Sequence, residues 1–419
     1  MLKLEKNRIS DESIRGSYRT GCFDIHLSGD FQNDILSMST TDQGVFLHEY
    51  IHFLQNISTP WGMFAANVQN RCFVEFVEEI ETKQRLPIPY RPSYSEETQL
   101  QIDWMNCSMG TKGLDAPFKI DRNAKIPIKV ADRTEFPTPM HDVYLGLTGI
   151  HGESVSIRLG ASIVKEGMAA MFQSLIDAKA THPDVPYNVI QILANQHFPN
   201  ISQDTRKLIT LCYISLFNLD PGFALLCELM EADAHPEKSF IEIFDEFIHH
   251  SIKKNGQSMS AYKFFDEMAD IYKQSVQGII QTDIVYIKEV LDKVKASAGV
   301  IPIVSILNND PFTPQQIYQL VDFLGIPFVQ ARNVYAYPAN AKGEISKDII
   351  NVVGNTLMFQ YFVMPSKDYI GICPFMFECP KDRESECYEC PWKCKECDFQ
   401  LGLEAIHANG KEIEIVKGK

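Results

Sequence analysis

Residues 45–55 constrain this chain more than any other segment, because they place three ionisable side chains of potential metal chemistry inside a mostly apolar helix. The segment is VFLHEYIHFLQ and contains His48, Glu49 and His52. Residues four apart on an α-helix are separated by about 400° of rotation, so the two imidazoles share one face and can bind one metal ion. Glu49 lies about 100° round the helix from His48. It can therefore hydrogen-bond a metal-bound water without ligating the metal itself.

The alternative is an amphipathic core helix whose histidines only form hydrogen bonds. Burying two imidazoles and a carboxylate in such a helix requires several partners, because an unpaired polar group in apolar surroundings is costly. The pattern therefore favours a catalytic zinc site, with Glu49 as the general base, over a plain core helix.

The flanks of the two histidines resemble the active-site helix of zincin metallopeptidases over about ten residues. In that family Val or Thr stands three positions before the first His, and uncharged residues lie between and after the pair. The positions that fit are Val45, Phe46, Tyr50, Ile51, Phe53 and Leu54. The resemblance implies a zincin-like two-helix core and hydrolysis of peptide bonds in a protein substrate, through a zinc-bound water that Glu49 activates.

A third zinc ligand has to come from elsewhere in the chain, because a peptidase zinc usually takes three protein ligands and one water. The segment after His52, FLQNISTPWGM, lacks the Gly and third His of the metzincin type. The resemblance therefore implies the gluzincin type, in which a Glu on a later helix completes the set. Glu166, in LGASIVKEGMAAMFQSL, has the Gly and nearby Ala that often follow this ligand. Its helix is apolar nearly all round, so a lone carboxylate there needs a cation or several donors.

Alternatives to Glu166 stay open, since its separation from His52 along the sequence is longer than usual for the type and implies an insertion. Glu153 is a second candidate ligand, and His151 beside it is another. Without a metal, Glu166 would instead form a salt bridge, for example with Arg158.

The developing oxyanion also needs a hydrogen-bond donor. Tyr144, His151 and Arg158 are candidates because they lie near the second helix in sequence.

A second metal-binding pattern lies near the C-terminus, where six cysteines fall within residues 373–397. Two CxxC pairs supply four thiolates, the usual number for a closed structural zinc site. Only three residues separate the pairs, which is too short for the hairpin of an ordinary zinc ribbon, so Cys373 or Cys379 can replace one of the four. An iron–sulfur cluster and disulfides or free thiols are the alternatives. The predicted structural zinc ligands are Cys373, Cys379, Cys387, Cys390, Cys394 and Cys397.

Composition narrows the class of protein and its partners. The chain has 419 residues, of which 45% are hydrophobic and 22% charged, as in ordinary globular proteins. A formal net charge of -15 repels phosphate backbones, so nucleic acid is not an expected partner. No run of about 18 apolar residues predicts a membrane span, and the first residues lack the apolar core of a signal peptide. We therefore expect a cytoplasmic protein. The resemblance to metallopeptidases implies a protein or peptide substrate, and an intracellular peptidase has to be restrained, so by analogy an activating or inhibiting protein is a further expected partner.

Hydrophobic patterning predicts an α+β fold with a small sheet. Helices are expected over residues 41–55 and 159–179, and loops with short strands over residues 86–141. We expect a zincin-like catalytic core over residues 1–180, with an insertion at about 58–145. A large, mainly helical body should follow over residues 181–365, and a Cys-rich metal-binding tail over residues 366–419.

Two other functions stay open. A zinc amidohydrolase with the same constellation would act on a non-peptide substrate, and a regulatory or binding protein would keep the metal site without cleaving. The presence of Glu49 argues against the second, because a pure binding site has no need of a base.

Overall fold

Helices and four small sheets make up the described part of the chain, which confirms the α+β prediction. The structure is a computed structural model, and the residues it describes are 16–19, 23–32, 34–114, 116–136, 139–254, 257–280, 283–296, 302–332, 334–339, 345–363 and 397–415.

The α-helices of these ranges are α1 Thr40–Ser58, α2 Pro60–Glu81, α3 Glu96–Met109, α4 Ala161–Ile176, α5 Val189–His197, α6 Thr205–Ser215, α7 Pro221–Ala234, α8 Phe240–His249, α9 Ala261–Ile279, α10 Val285–Ala296, α11 Pro302–Ser305, α12 Pro314–Leu324, α13 Lys347–Val363 and α14 Asp398–Ala405. Short 3₁₀ turns lie at Ile35–Ser37 and Ile306–Asn308, and a π-helical turn lies at Asp184–Asn188. None of the described helices is both long and apolar enough to cross a membrane.

The strands are β1 Gly16–Arg19, β2 Asp24–Leu27, β3 Arg85–Ile88, β4 Ile128–Arg133, β5 Met140–Thr148, β6 Ser154–Leu159, β7 Ser251–Lys254, β8 Gln257–Ser260, β9 Phe328–Ala331, β10 Tyr335–Ala336 and β11 Glu412–Ile415. The largest sheet has the order β1-β2-β9-β10. Its two central strands, β2 and β9, are parallel, with Ile25 opposite Val329, and both of these side chains are buried. Strands from distant parts of the sequence therefore close one sheet, with β1 at its edge and packed against α1.

Of the other three sheets, two join strands that are close in the sequence and one joins strands that are far apart. Strands β4, β5 and β6 form an antiparallel meander, in which alternate residues of β5 are buried from Val143 onward. Strands β3 and β11 form a parallel pair, and β7 with β8 forms a hairpin.

Helix α1 lies in the centre of the fold and is buried nearly all round, as expected for a helix with apolar residues on every face. The Ser39 side chain caps its first turn by accepting a hydrogen bond from the Asp42 N–H. At its end Thr59 caps α2, and Pro60 occupies the first turn of α2. A side chain at position 62 would clash with the backbone of α1, so Gly62 allows the two helices to meet closely.

Helix α4 packs alongside α1 and begins directly after β6. The sequence predicts a buried helix over residues 159–179, and α4 occupies most of that range. Buried apolar side chains from both sides of residue 180 form one cluster, and the predicted division into three units stays a prediction.

The prediction of loops and short strands over residues 86–141 is wrong for α3. This helix has an N-cap at Ser95 and buries only a narrow apolar stripe that includes Ile102 and Met105. Because its other faces carry polar residues, the helical period of its apolar positions is weak.

The Cys-rich tail lies largely outside the described residues. Five of its predicted zinc ligands lie there, namely Cys373, Cys379, Cys387, Cys390 and Cys394. The sixth, Cys397, is half-buried at the start of α14.

Candidate metal centre

Two neighbouring helices bring three predicted metal ligands together. His48 and His52 come from α1, and Glu166 comes from α4. One ligand atom of each lies within 4.8 Å of the other two, and no other group of three such residues occurs in the described ranges.

The Glu166 carboxylate lies against both imidazoles. Its Oε2 atom is 3.3 Å from His48 Nε2 and 3.3 Å from His52 Nε2. The two rings are 5.0 Å apart between centroids and nearly perpendicular. Their Nε2 atoms both lie against the same oxygen. The imidazoles are almost fully buried, whereas 22% of the Glu166 side chain is exposed. Solvent therefore reaches the centre mainly through the small exposed part of the Glu166 side chain.

Glu166 and His52 shift each other's pKa in opposite directions. Burial disfavours ionisation of Glu166, but the charge of His52 and the hydrogen bond with His48 outweigh it and hold the pKa of Glu166 well below 4.5. Burial also opposes protonation of His52, yet the Glu166 charge outweighs it and raises the pKa of His52 above 6.5. The ionised carboxylate of Glu166 and the protonated form of His52 therefore stabilise each other.

Glu49 is buried beside this group without belonging to it. Only 6% of Glu49 is exposed. Its Oε1 atom lies close to strand β1, since a Cβ atom on Gly16 would come within 2.7 Å of it. This is consistent with the helical spacing, which turns Glu49 away from the ligand face of α1.

A buried amide connects His52 to α4. Gln55 Oε1 lies 2.9 Å from His52 Nδ1, and Gln55 Nε2 donates to the Lys165 carbonyl oxygen at 3.1 Å. Sequence patterning did not identify Gln55, because its position one turn after His52 is equally typical of an ordinary polar core residue.

Two further aromatic side chains contact His48, and the sequence analysis missed both. The His182 ring stacks on His48 at 5.7 Å between centroids and on Tyr187 at 4.8 Å. Burial, followed by the charge of His48, lowers the pKa of His182 to about 4. His182 Nε2 is buried and has no hydrogen-bond partner among the described residues.

The loop that carries His182 and Tyr187 is anchored by Asp184. The Asp184 carboxylate accepts hydrogen bonds from the Ile120 N–H at 2.8 Å and from the Arg122 guanidinium at 2.6 Å. The prolines in the sequence THPDVPY mark this segment as a turn, but no periodic signal indicates that the turn folds back over α1.

The structure gives the other candidates different partners. Arg158 pairs with Asp142 at 3.1 Å, so the expectation that Arg158 would pair with Glu166 is wrong. Tyr144 also donates to Asp142, at 3.2 Å. Glu153 is exposed in the turn between β5 and β6, where its carboxylate accepts the His151 N–H. Arg158 and Tyr144 thus share Asp142 as a partner, and Glu153 binds the backbone of His151. None of these four candidates belongs to the group of His48, His52 and Glu166.

Comparisons of the chain with protein-family models, with curated proteins and with solved structures found no match.

Proposed function

We propose that this protein is a zinc-dependent metallopeptidase that hydrolyses peptide bonds in a protein substrate. His48, His52 and Glu166 would hold the zinc ion, and Glu49 would act as the general base. The observation that carries the proposal is the approach of one Glu166 oxygen to the Nε2 atoms of both histidines.

The donor set fits a catalytic zinc ion. Two imidazole nitrogens and one carboxylate oxygen are ligands that zinc takes in peptidase sites, where a fourth position stays open. The position of one carboxylate oxygen 3.3 Å from both Nε2 atoms, with the imidazoles almost fully buried, also favours a cation held between the three side chains. A zinc ion held here would polarise the substrate carbonyl and make a water molecule more acidic.

Glu49 would take up the proton of the attacking water. Its carboxylate is buried and its charge acts on His52, so Glu49 lies near the centre without being one of the three grouped ligands. After attack on the carbonyl carbon, the same carboxyl group would return the proton to the leaving amine nitrogen. A protein that only binds a metal has no need of this buried carboxylate, which favours catalysis over the regulatory alternative.

The surroundings of Glu49 favour an extended peptide over a small non-peptide amide. Strand β1 is the last strand of its sheet among the described residues and runs beside Glu49. Extended peptides pair with the edges of sheets through backbone hydrogen bonds. We therefore propose that α1, α4 and this sheet form a zincin-like core. As a separate proposal, the protein works in the cytoplasm.

The Glu49→Gln variant tests this function. The substitution is nearly isosteric and leaves the three ligands in place, so zinc content should equal that of the wild type. Cleavage of a peptide library, followed by mass spectrometry, should fall by about 10²–10⁴-fold, the range for loss of a general base. Undiminished cleavage by this variant would remove Glu49 from the mechanism. A wild type that binds zinc but cleaves no peptide would favour the amidohydrolase or the regulatory protein.

A further inference from the structure

The orientation of the Gln55 amide is determined by its two buried partners. The Gln55 side chain is fully buried and spans from α1 to α4. The partner of one amide atom is the Lys165 carbonyl oxygen, which can only accept a hydrogen bond. The atom facing Lys165 is therefore the amide nitrogen, and the amide oxygen faces His52.

This orientation fixes the tautomer of His52. An amide oxygen only accepts hydrogen bonds, so the His52 Nδ1 atom at 2.9 Å must carry a hydrogen. In neutral His52 the lone pair then lies on Nε2, the atom that faces Glu166 at 3.3 Å. We propose that Gln55 is a positioning residue of the metal centre: it holds His52 in the tautomer that binds metal through Nε2 and ties this ring to the helix that carries Glu166.

The backbone of Gln55 is itself held firmly. Its carbonyl oxygen accepts a hydrogen bond from Thr59 Oγ1 at 2.6 Å. The α1–α2 junction packs against the same carbonyl, because a Cβ atom on Gly62 would lie only 2.2 Å from it. A polar side chain on such a constrained backbone can orient a ligand, and the outer partners of metal-bound histidines usually do so.

His48 provides a contrast within the same centre. Its Nδ1 atom is buried, and no described residue forms a hydrogen bond with it. Loss of Gln55 should therefore act on His52 alone, which makes its effect separable from a general loosening of the site.

Zinc affinity of Gln55→Met, measured by competition with a chromogenic chelator, tests the inference, which rests on the proposed metal centre. The unbranched Met side chain fills similar volume without an acceptor, so zinc should bind about 10–100-fold more weakly than in the wild type. Gln55→Glu restores an acceptor for His52 and should bind zinc more tightly than Gln55→Met. Gln43→Leu is the matched control, because Gln43 is also buried on α1 but donates to the Ile35 carbonyl instead. Its zinc affinity should equal that of the wild type.

A second measurement keeps the inference testable if Gln55→Met does not fold. In ¹⁵N NMR spectra of the zinc-loaded wild type, His52 should bind metal through Nε2 and show a slowly exchanging Nδ1–H. Coordination through Nδ1, or a folded Gln55→Met protein that binds zinc as tightly as the wild type, would overturn the role of Gln55 alone. A wild type with no more zinc than His48→Ala would overturn the metal centre, and this inference with it.

Discussion

Glu166 Oε2 lies 3.3 Å from His52 Nε2 and thereby joins the two central helices of the fold through a buried, charged contact. The carboxylate makes the same approach to His48. Such an arrangement is costly without a cation, because each polar group has left water. The contact therefore explains in physical terms why the apolar helix α4 contains a carboxylate at this position.

Replacing Glu166 by Gln should weaken zinc binding, because a neutral amide oxygen is a poorer ligand for zinc than a carboxylate. Glu153→Gln is the matched control, since Glu153 is exposed and only accepts a hydrogen bond from its own turn. Titration with a zinc chelator should show at least about tenfold weaker binding for the first variant and wild-type binding for the second. The opposite ranking would move the third ligand to the turn between β5 and β6.

The His182 ring should support His48 mainly through stacking. His182→Phe keeps an aromatic ring against both His48 and Tyr187, whereas His182→Ala removes it. We expect zinc affinity near the wild-type value for Phe and about tenfold weaker binding for Ala. His151→Ala, in an exposed turn, serves as the control in the same chelator competition. Equal affinities for the Ala and Phe variants would show that stacking on His48 contributes nothing.

Acid should destabilise the protein through His26 on strand β2. Burial, and then the charge of Arg19, lower the pKa of His26 from 6.5 to about 4. The unfolded chain therefore binds a proton that the folded chain does not, and stability should be lost as the pH falls from about 6.5 towards 4. His26→Gln should show a smaller decrease in Tm between pH 7 and pH 5 than the wild type. The exposed His249 provides the control, and His249→Gln should retain the wild-type pH dependence. An unchanged pH dependence in His26→Gln would contradict the account of His26.

The sequence predicts much of the candidate site because helical periodicity is a local property. The spacing of His48 and His52 places both rings on one face of α1, and the structure brings them together there. Glu166 was identifiable since a single carboxylate in an apolar helix requires a partner. Each inference uses only the residues of a single helix, together with the free-energy cost of burying a charged group.

Contacts made by loops and by distant strands could not be predicted in the same way. His182 reaches His48 through a turn whose direction is set by the hydrogen bonds of Asp184, and no residue pattern encodes that direction. The pairing of β2 with β9 likewise joins segments that are far apart in the chain. Helix α3 was missed for a third reason, because its narrow buried stripe gives a weak periodic signal.

The most direct test of the central claim is the zinc content of the purified protein beside that of His48→Ala, determined by elemental analysis. We predict that the variant loses one equivalent of zinc and remains folded, while any zinc bound by the Cys-rich tail is retained. Replacing Cys387 and Cys390 by Ser in the same experiment distinguishes the two sites, because it should remove only tail metal. If His48→Ala contained as much zinc as the wild type, His48 and its neighbours would not form a metal centre, and the proposed peptidase function would fail with them.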